Sequence, residues 1–170
     1  MRKSASGAAL FLFVGLLVSP GCSGVGSNRS GMTGAERAVE AVLDEYLQAF
    51  RSRDRELVAG VYAHDDDLVV FGSSPADRRV GWEATRQYVN RYFAAADAIE
   101  IALKERRIKV HESGKAAWFS QVLDWKETAG KEVAQIPGLR ISGVLEERDG
   151  RWLIVQLHAS GPSPIVAILP

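Results

Sequence analysis

The chain has 170 residues, 46% of them hydrophobic and 25% charged, which suits one globular domain and excludes wholesale disorder. Lys and Arg number 21 and so do Asp and Glu, so the basic excess of a nucleic-acid binder is missing and no nucleic-acid partner is expected. One cysteine excludes an internal disulfide and a Cys-rich zinc site.

Arg2 and Lys3 precede an uninterrupted apolar run from Ala8 to Val18. The run is shorter than the about 20 residues that span a bilayer, and it fits the apolar core of a signal peptide over residues 1–21. The following Ser19-Pro20-Gly21-Cys22-Ser23 resembles the lipobox of bacterial lipoproteins, with Ser19 and Pro20 where that pattern favours Leu and then Ala or Ser. The resemblance implies cleavage before Cys22, a lipid on Cys22, and export from a bacterial cell to the periplasmic side of a membrane. Residues 22–33, rich in Gly and Ser, read as a flexible tether.

Thr33-Gly34-Ala35-Glu36 has the form of a capping box. Val39, Val42, Leu43, Tyr46, Leu47 and Phe50 then recur at helical spacing, predicting a first amphipathic helix. Asp54 is placed to cap a second helix carrying Leu57, Val58, Val61 and Tyr62. His64 to Asp67 is a polar break before the β-prone Leu68 to Gly72, and Ser73-Ser74-Pro75 opens a loop. Gly81-Trp82-Glu83 starts a third helix. After Asp97 the period changes to two, and a parity switch between Leu103 and Ile108 predicts a bulge near Glu105–Arg107. Strands over Ala116 to Lys126, Val133 to Glu147 and Arg151 to Ser160 follow, the last two joined at Asp149-Gly150, a strong hairpin signal. The predicted class is α+β, three N-terminal helices packed on a mostly antiparallel sheet over residues 34–162. The apolar tail, residues 163–170, is expected to lie against the sheet, since exposed it would invite aggregation.

Four stretches, Tyr46 to Asp54, Leu57 to Asp67, Gly81-Trp82-Glu83-Ala84 and Gly143 to Ser160, resemble in this order the SnoaL-like domains of the nuclear transport factor 2-like superfamily. The ending, Trp152 to Pro162, is also similar to the association domain of calcium/calmodulin-dependent protein kinase II. The resemblance implies a cone-shaped fold with a curved sheet, a pocket between sheet and helices, and homodimers through the sheet. Tyr46 falls where ketosteroid isomerase-like members carry a phenol that donates to an enolate oxygen. Those isomerases also use a carboxylate just after the first strand, where Val69 to Ser74 holds no acid, so the resemblance favours binding over enolisation.

Alternation groups Trp152, Ile154, Gln156, His158 and Ser160 on one face of the last strand, and Leu153, Val155 and Leu157 on the other. Arg140, Ser142 and Val144 share a parity, as do Trp118, Ser120, Val122 and Asp124. If the polar sets face the helices, a small-molecule pocket gathers Tyr46, Tyr88, Trp118, Arg140, Gln156 and His158, with His158, Tyr46 and Asp124 as the candidate acid–base groups. If the apolar sets face the helices, the polar ones lie at a dimer interface. Arg140 is expected to pair with Asp124. Three functions follow: binding of a small, partly apolar molecule, the leading one; an isomerase, cyclase or hydrolase using His158 with Tyr46 or Asp124; and a dimerisation or interaction module. His64 to Asp67 reads as a solvated turn rather than a metal site, and Lys104 to Arg107 as a solvated strand face. No phosphate loop, nucleophile elbow or zinc helix motif occurs in the sequence, and no cofactor is expected.

Overall fold

Thr33 begins the first helix as its sequence requires: its Oγ1 accepts from the Glu36 amide at 3.2 Å, and Glu36 accepts from the Thr33 amide at 2.7 Å. The chain is seen in a computed structural model that describes residues 31–74 and 77–162. The leader, Cys22, most of the tether and the tail 163–170 lie outside the described residues. Helix α1 (Gly34–Ser52) buries Val39, Leu43, Tyr46, Leu47 and Phe50 on one face and ends at Arg53 in the left-handed conformation. Asp54 accepts from the Glu56 and Leu57 amides and starts helix α2 (Arg55–Val61). Strands β1 (Val69–Phe71) and β2 (Arg78–Val80) precede helix α3 (Trp82–Ala95). Then come β3 (Ala98–Val110), β4 (Ala116–Ala129), β5 (Glu132–Arg148) and β6 (Arg151–Ser160).

The six strands form one curved, open sheet in the order β2-β1-β6-β5-β4-β3, antiparallel except where β1 runs parallel to β6. The fold is α+β, with three helices on one face of that sheet. Strand β2 is the element that periodicity does not reveal, because three residues are too few to show an alternation. It pairs with β1, Val69 opposite Val80 and Phe71 opposite Arg78, and stands at one edge of the sheet.

Three irregularities decide which side chains reach the helices. Leu103 pairs with Leu123 and Glu105 with Val122, so Lys104 is the extra residue, just ahead of the position expected. Pro137 and Gly138 together oppose Asp124. In β6, Val144 faces Gln156 and Leu145 faces Ile154, leaving Val155 unpaired and reversing the phase of the strand. Trp152 and Ile154 therefore point inward before the bulge, and Leu157 after it. Ala117, Phe119, Leu123, Leu139, Ile141 and Leu145 are the inward residues of β4 and β5. In β4 and β5 the apolar parity is thus the core, whereas β6 does not keep the single-faced grouping expected of it: Trp152 and Ile154 are buried apart from Gln156 and His158, and Leu153 and Val155 are only partly buried. The Phe119 ring covers Gly143, where a Cβ would stand 2.7 Å from the ring and 2.4 Å from the Gln156 carbonyl oxygen.

Past the β3 bulge, Arg106 turns inward rather than staying on a solvated face. Its side chain is 7% exposed and its Nη1 donates to Asp44 at 2.7 Å, while Nε donates to Gln121 at 3.2 Å. The parity switch that marks the bulge carries Arg106 to this inner side.

Candidate functional site

A cleft of about 170 Å3 opens between α1, α3 and the concave face of the sheet. The chain has four tyrosines, and all four, Tyr46, Tyr62, Tyr88 and Tyr92, line it. Each comes from a helix or a helix end: Tyr46 from the buried stripe of α1, Tyr62 from the residue that ends α2, and Tyr88 and Tyr92 one turn apart on α3. Phe50 and Trp125 complete an aromatic wall, their ring centres 5.5 Å apart, and Leu139, Ile141 and Leu157 floor it from the sheet.

The polar groups are few and specific. Tyr46 is 4% exposed, and its hydroxyl is hydrogen-bonded to that of Tyr62. Burial raises both phenols well above the usual tyrosine value, the hydrogen bond from Tyr62 partly offsetting the effect at Tyr46. Tyr88 is raised by burial too, against the pull of Arg79. Tyr92 donates to Glu127 and accepts from Trp125 Nε1 at 3.3 Å; burial and then Glu127 raise it. All four phenols are consequently neutral donors at neutral pH.

Arg79 enters from β2. Its side chain is 11% exposed, its guanidinium carbon lies 3.8 Å from the centre of the Tyr88 ring, and its Nη1 pairs with Asp77. Its Nε is buried with no hydrogen-bond partner among the described residues. Asp77 packs against the Cα of Gly72, where a Cβ would stand 1.7 Å from Oδ2. The hairpin carrying Asp77 and Arg79 is closed by the Gly72 amide donating to the Asp77 carbonyl at 2.7 Å. An acid therefore does stand near the end of the first strand. It lies across a turn from Gly72 instead of directly after it, and so escapes a search of residues 69–74.

The structure brings Tyr46 and Tyr88 into the cleft and puts the other named candidates elsewhere. Trp118, Arg140, Gln156, His158 and Asp124 belong to the outer face of the sheet. The Val155 bulge and the inward apolar parity leave that face to them. His158 is exposed, opposite Ser142 and edge-on to Phe71 with ring centres 5.9 Å apart. Asp124 pairs with Lys104 at 2.8 Å, not with Arg140, whose Nη2 donates to the Gly161 carbonyl at 3.3 Å. Trp118 is 44% exposed, with Lys109 over its ring. A catalytic set joining His158 or Asp124 to Tyr46 is therefore not assembled.

Sequence reading missed Tyr62, Tyr92, Arg79 and Asp77. Both tyrosines fill slots on apolar helix faces and look like core. The signal that could have found Arg79 is its place beside a glycine-started helix, in a strand too short to score. The acidic turn is held structurally: His64 stacks on Trp82 with ring centres 4.3 Å apart, and Asp65 pairs with Arg148, which lowers its pKa.

Residues 39–164 match the family described as SnoaL-like domain. Solved structures share the fold at low identity. A nuclear transport factor 2-like superfamily protein of Salmonella enterica superposes with a TM-score of 0.70 at 15% identity, over 80% of this chain and 96% of that one. A Xanthomonas campestris protein provisionally named a calcium/calmodulin-dependent protein kinase II association domain gives 0.64 at 22% identity, over 76% and 89%. A Novosphingobium aromaticivorans protein provisionally named a scytalone dehydratase gives 0.64 at 15% identity, over 75% and 83%. No curated protein matches the sequence.

Proposed function

The chain belongs to the SnoaL-like domain family, and from that membership and the tyrosine-walled cleft we propose that it binds a small, partly apolar molecule between helices and sheet. The convergence of all four tyrosines and Arg79 on one cleft carries this reading. Apolar walls with a few oriented polar groups are the usual makeup of a ligand site. The volume is below the roughly 300–1,000 Å3 of sites for drug-sized molecules, so the ligand is about the size of a single ring. The leader, tether and Cys22 support an exported protein anchored by lipid on the periplasmic side of a membrane. The outer face bearing Trp118 supports a homodimer through the sheet.

A second reading, an enzyme acting in the same cleft, is favoured by Asp77 lining it together with Tyr46. The carboxylate would accept a proton and the neutral phenol would donate one.

Thermal denaturation of the full-length protein with phenol, 4-hydroxybenzaldehyde and indole tests the binding reading. These probes should raise the melting temperature of the wild type but not of Ala159→Trp, which fills the cleft from β6. Equal shifts in both proteins, or none in the wild type, would overturn it. Loss of turnover in Asp77→Asn with the thermal shift retained would favour the enzyme.

A further inference from the structure

We propose that the ligand carries a carboxylate, read by the unfilled edge of Arg79 together with the Tyr46 and Tyr62 hydroxyls. This rests on the binding reading and narrows it.

A guanidinium presents five N–H donors in a fixed plane, and among the described residues Arg79 spends only Nη1 on a hydrogen-bond partner, Asp77. Its Nε is buried without a partner among the described residues, and such a group is costly to leave unfilled. The plane is held in place by Tyr88 on one side and Asp77 at one end, so it is presented to the cleft and does not swing into solvent. Arg79 also acts electrostatically on Tyr46, Tyr62 and Tyr88, which places one positive charge among three neutral phenols. Tyr46 and Tyr62 share one hydrogen bond between two hydroxyls, leaving one O–H to donate outward.

This end of the cleft therefore offers donors and a cation, which a charged group with two acceptor oxygens satisfies best, whereas a hydroxyl brings one neutral oxygen and an ammonium is repelled. A carboxylate fits the side edge of an arginine with two parallel hydrogen bonds. Two acids also face the cleft, and they set the limits. Glu127 is engaged by Tyr92, and Asp77 holds the far end of the same guanidinium, where it opposes a second negative charge. The rest of the ligand meets Phe50, Trp125 and the apolar floor, so it is flat and unsubstituted by charge.

The test compares matched acids and amides on the full-length protein: benzoate against benzamide, and phenylacetate against phenylacetamide, by isothermal titration. In the wild type each acid should bind about tenfold tighter than its amide or better. Arg79→Gln should bring the acids down to the amides. Asp77→Asn, which removes the opposing charge, should tighten the acids several-fold. The paired variant Asp77→Asn with Arg79→Gln keeps the site neutral and should also lose the preference for acids, should Arg79→Gln alone fail to fold. Amides binding as well as acids in the wild type would overturn the carboxylate and leave the binding site standing. Failure of both members of both pairs would overturn the binding site as well.

Discussion

The Arg79 guanidinium carbon sits 3.8 Å from the centre of the Tyr88 ring, linking the edge strand of the sheet to the helix above it. A cation over an aromatic face is worth about 0.5–2 kcal/mol depending on desolvation. Tyr88→Phe keeps the face and should change stability in urea by less than about 0.5 kcal/mol. Tyr88→Leu loses it and should cost about 1–2 kcal/mol, with weaker ligand binding because Arg79 is no longer held flat.

The tyrosines report on themselves. All four are raised above the ordinary value near 10, chiefly by burial. An absorbance titration at 295 nm should show native protein still un-ionised at pH about 10, where unfolded tyrosine is half-ionised. A raised native pKa means the folded chain holds protons that the unfolded chain releases, so unfolding draws strength from high pH. Stability should be insensitive to these groups below pH about 10 and fall as pH rises above it. A phenolate signal of normal midpoint from the folded protein would contradict the burial described.

Two glycines mark close approaches. At Gly143 a Cβ would meet backbone, 2.4 Å from the Gln156 carbonyl oxygen, and backbone cannot step aside cheaply. Gly143→Ala should destabilise by about 2–4 kcal/mol. At Gly72 the obstruction is the Asp77 side chain, from Oδ2 at 1.7 Å to Cβ at 2.9 Å, so the carboxylate must rotate away and Asp77 shift slightly. Gly72→Ala should cost less stability but disturb the Asp77–Arg79 pair, seen as altered binding of benzoate with a smaller change in melting temperature.

The outer face should be separable from the cleft. His158→Ala and Asp124→Asn are expected to leave the thermal shift with phenol unchanged. Trp118→Glu places a charge in the centre of the face proposed for self-association, and sedimentation should show a dimer converted to monomer. A wild type that sediments as a monomer at all concentrations would remove the homodimer.

Mass spectrometry of the protein recovered from bacterial membranes should show a mature chain beginning at a lipid-modified Cys22. Cys22→Ser should move the protein to the soluble fraction. An unmodified N-terminus at another residue would replace anchoring with ordinary secretion.

The order of helices and strands was legible because its signals are local. The Thr33 and Asp54 caps, the stripe of α1, the Asp149-Gly150 turn and the alternation of the long strands each act within a few residues. The site was legible only in part. Tyr46 and Tyr88 sit on helices whose inward face the apolar spacing identifies. Which face of β6 looks inward depends on Val155, a single extra residue whose presence shows only when β6 is laid against β5. His158 and Gln156 could be set on either side by that ambiguity, and Arg140, on β5, depends on which parity of that strand meets the helices. Arg79 and Asp77 were lost because a three-residue strand has no period, and because their meeting with Tyr88 and Gly72 is a matter of tertiary approach.

Strand β1 lies against β6 and β2 against β1, so the hairpin that delivers Asp77 and Arg79, though it also touches α3, gains its place in the sheet only from β6. Residues up to 150 already supply every described helix and all four tyrosines, yet they lack the strand on which that hairpin pairs in parallel. A chain shortened before β6 would keep its helices yet lose the sheet partner of the hairpin that carries Arg79.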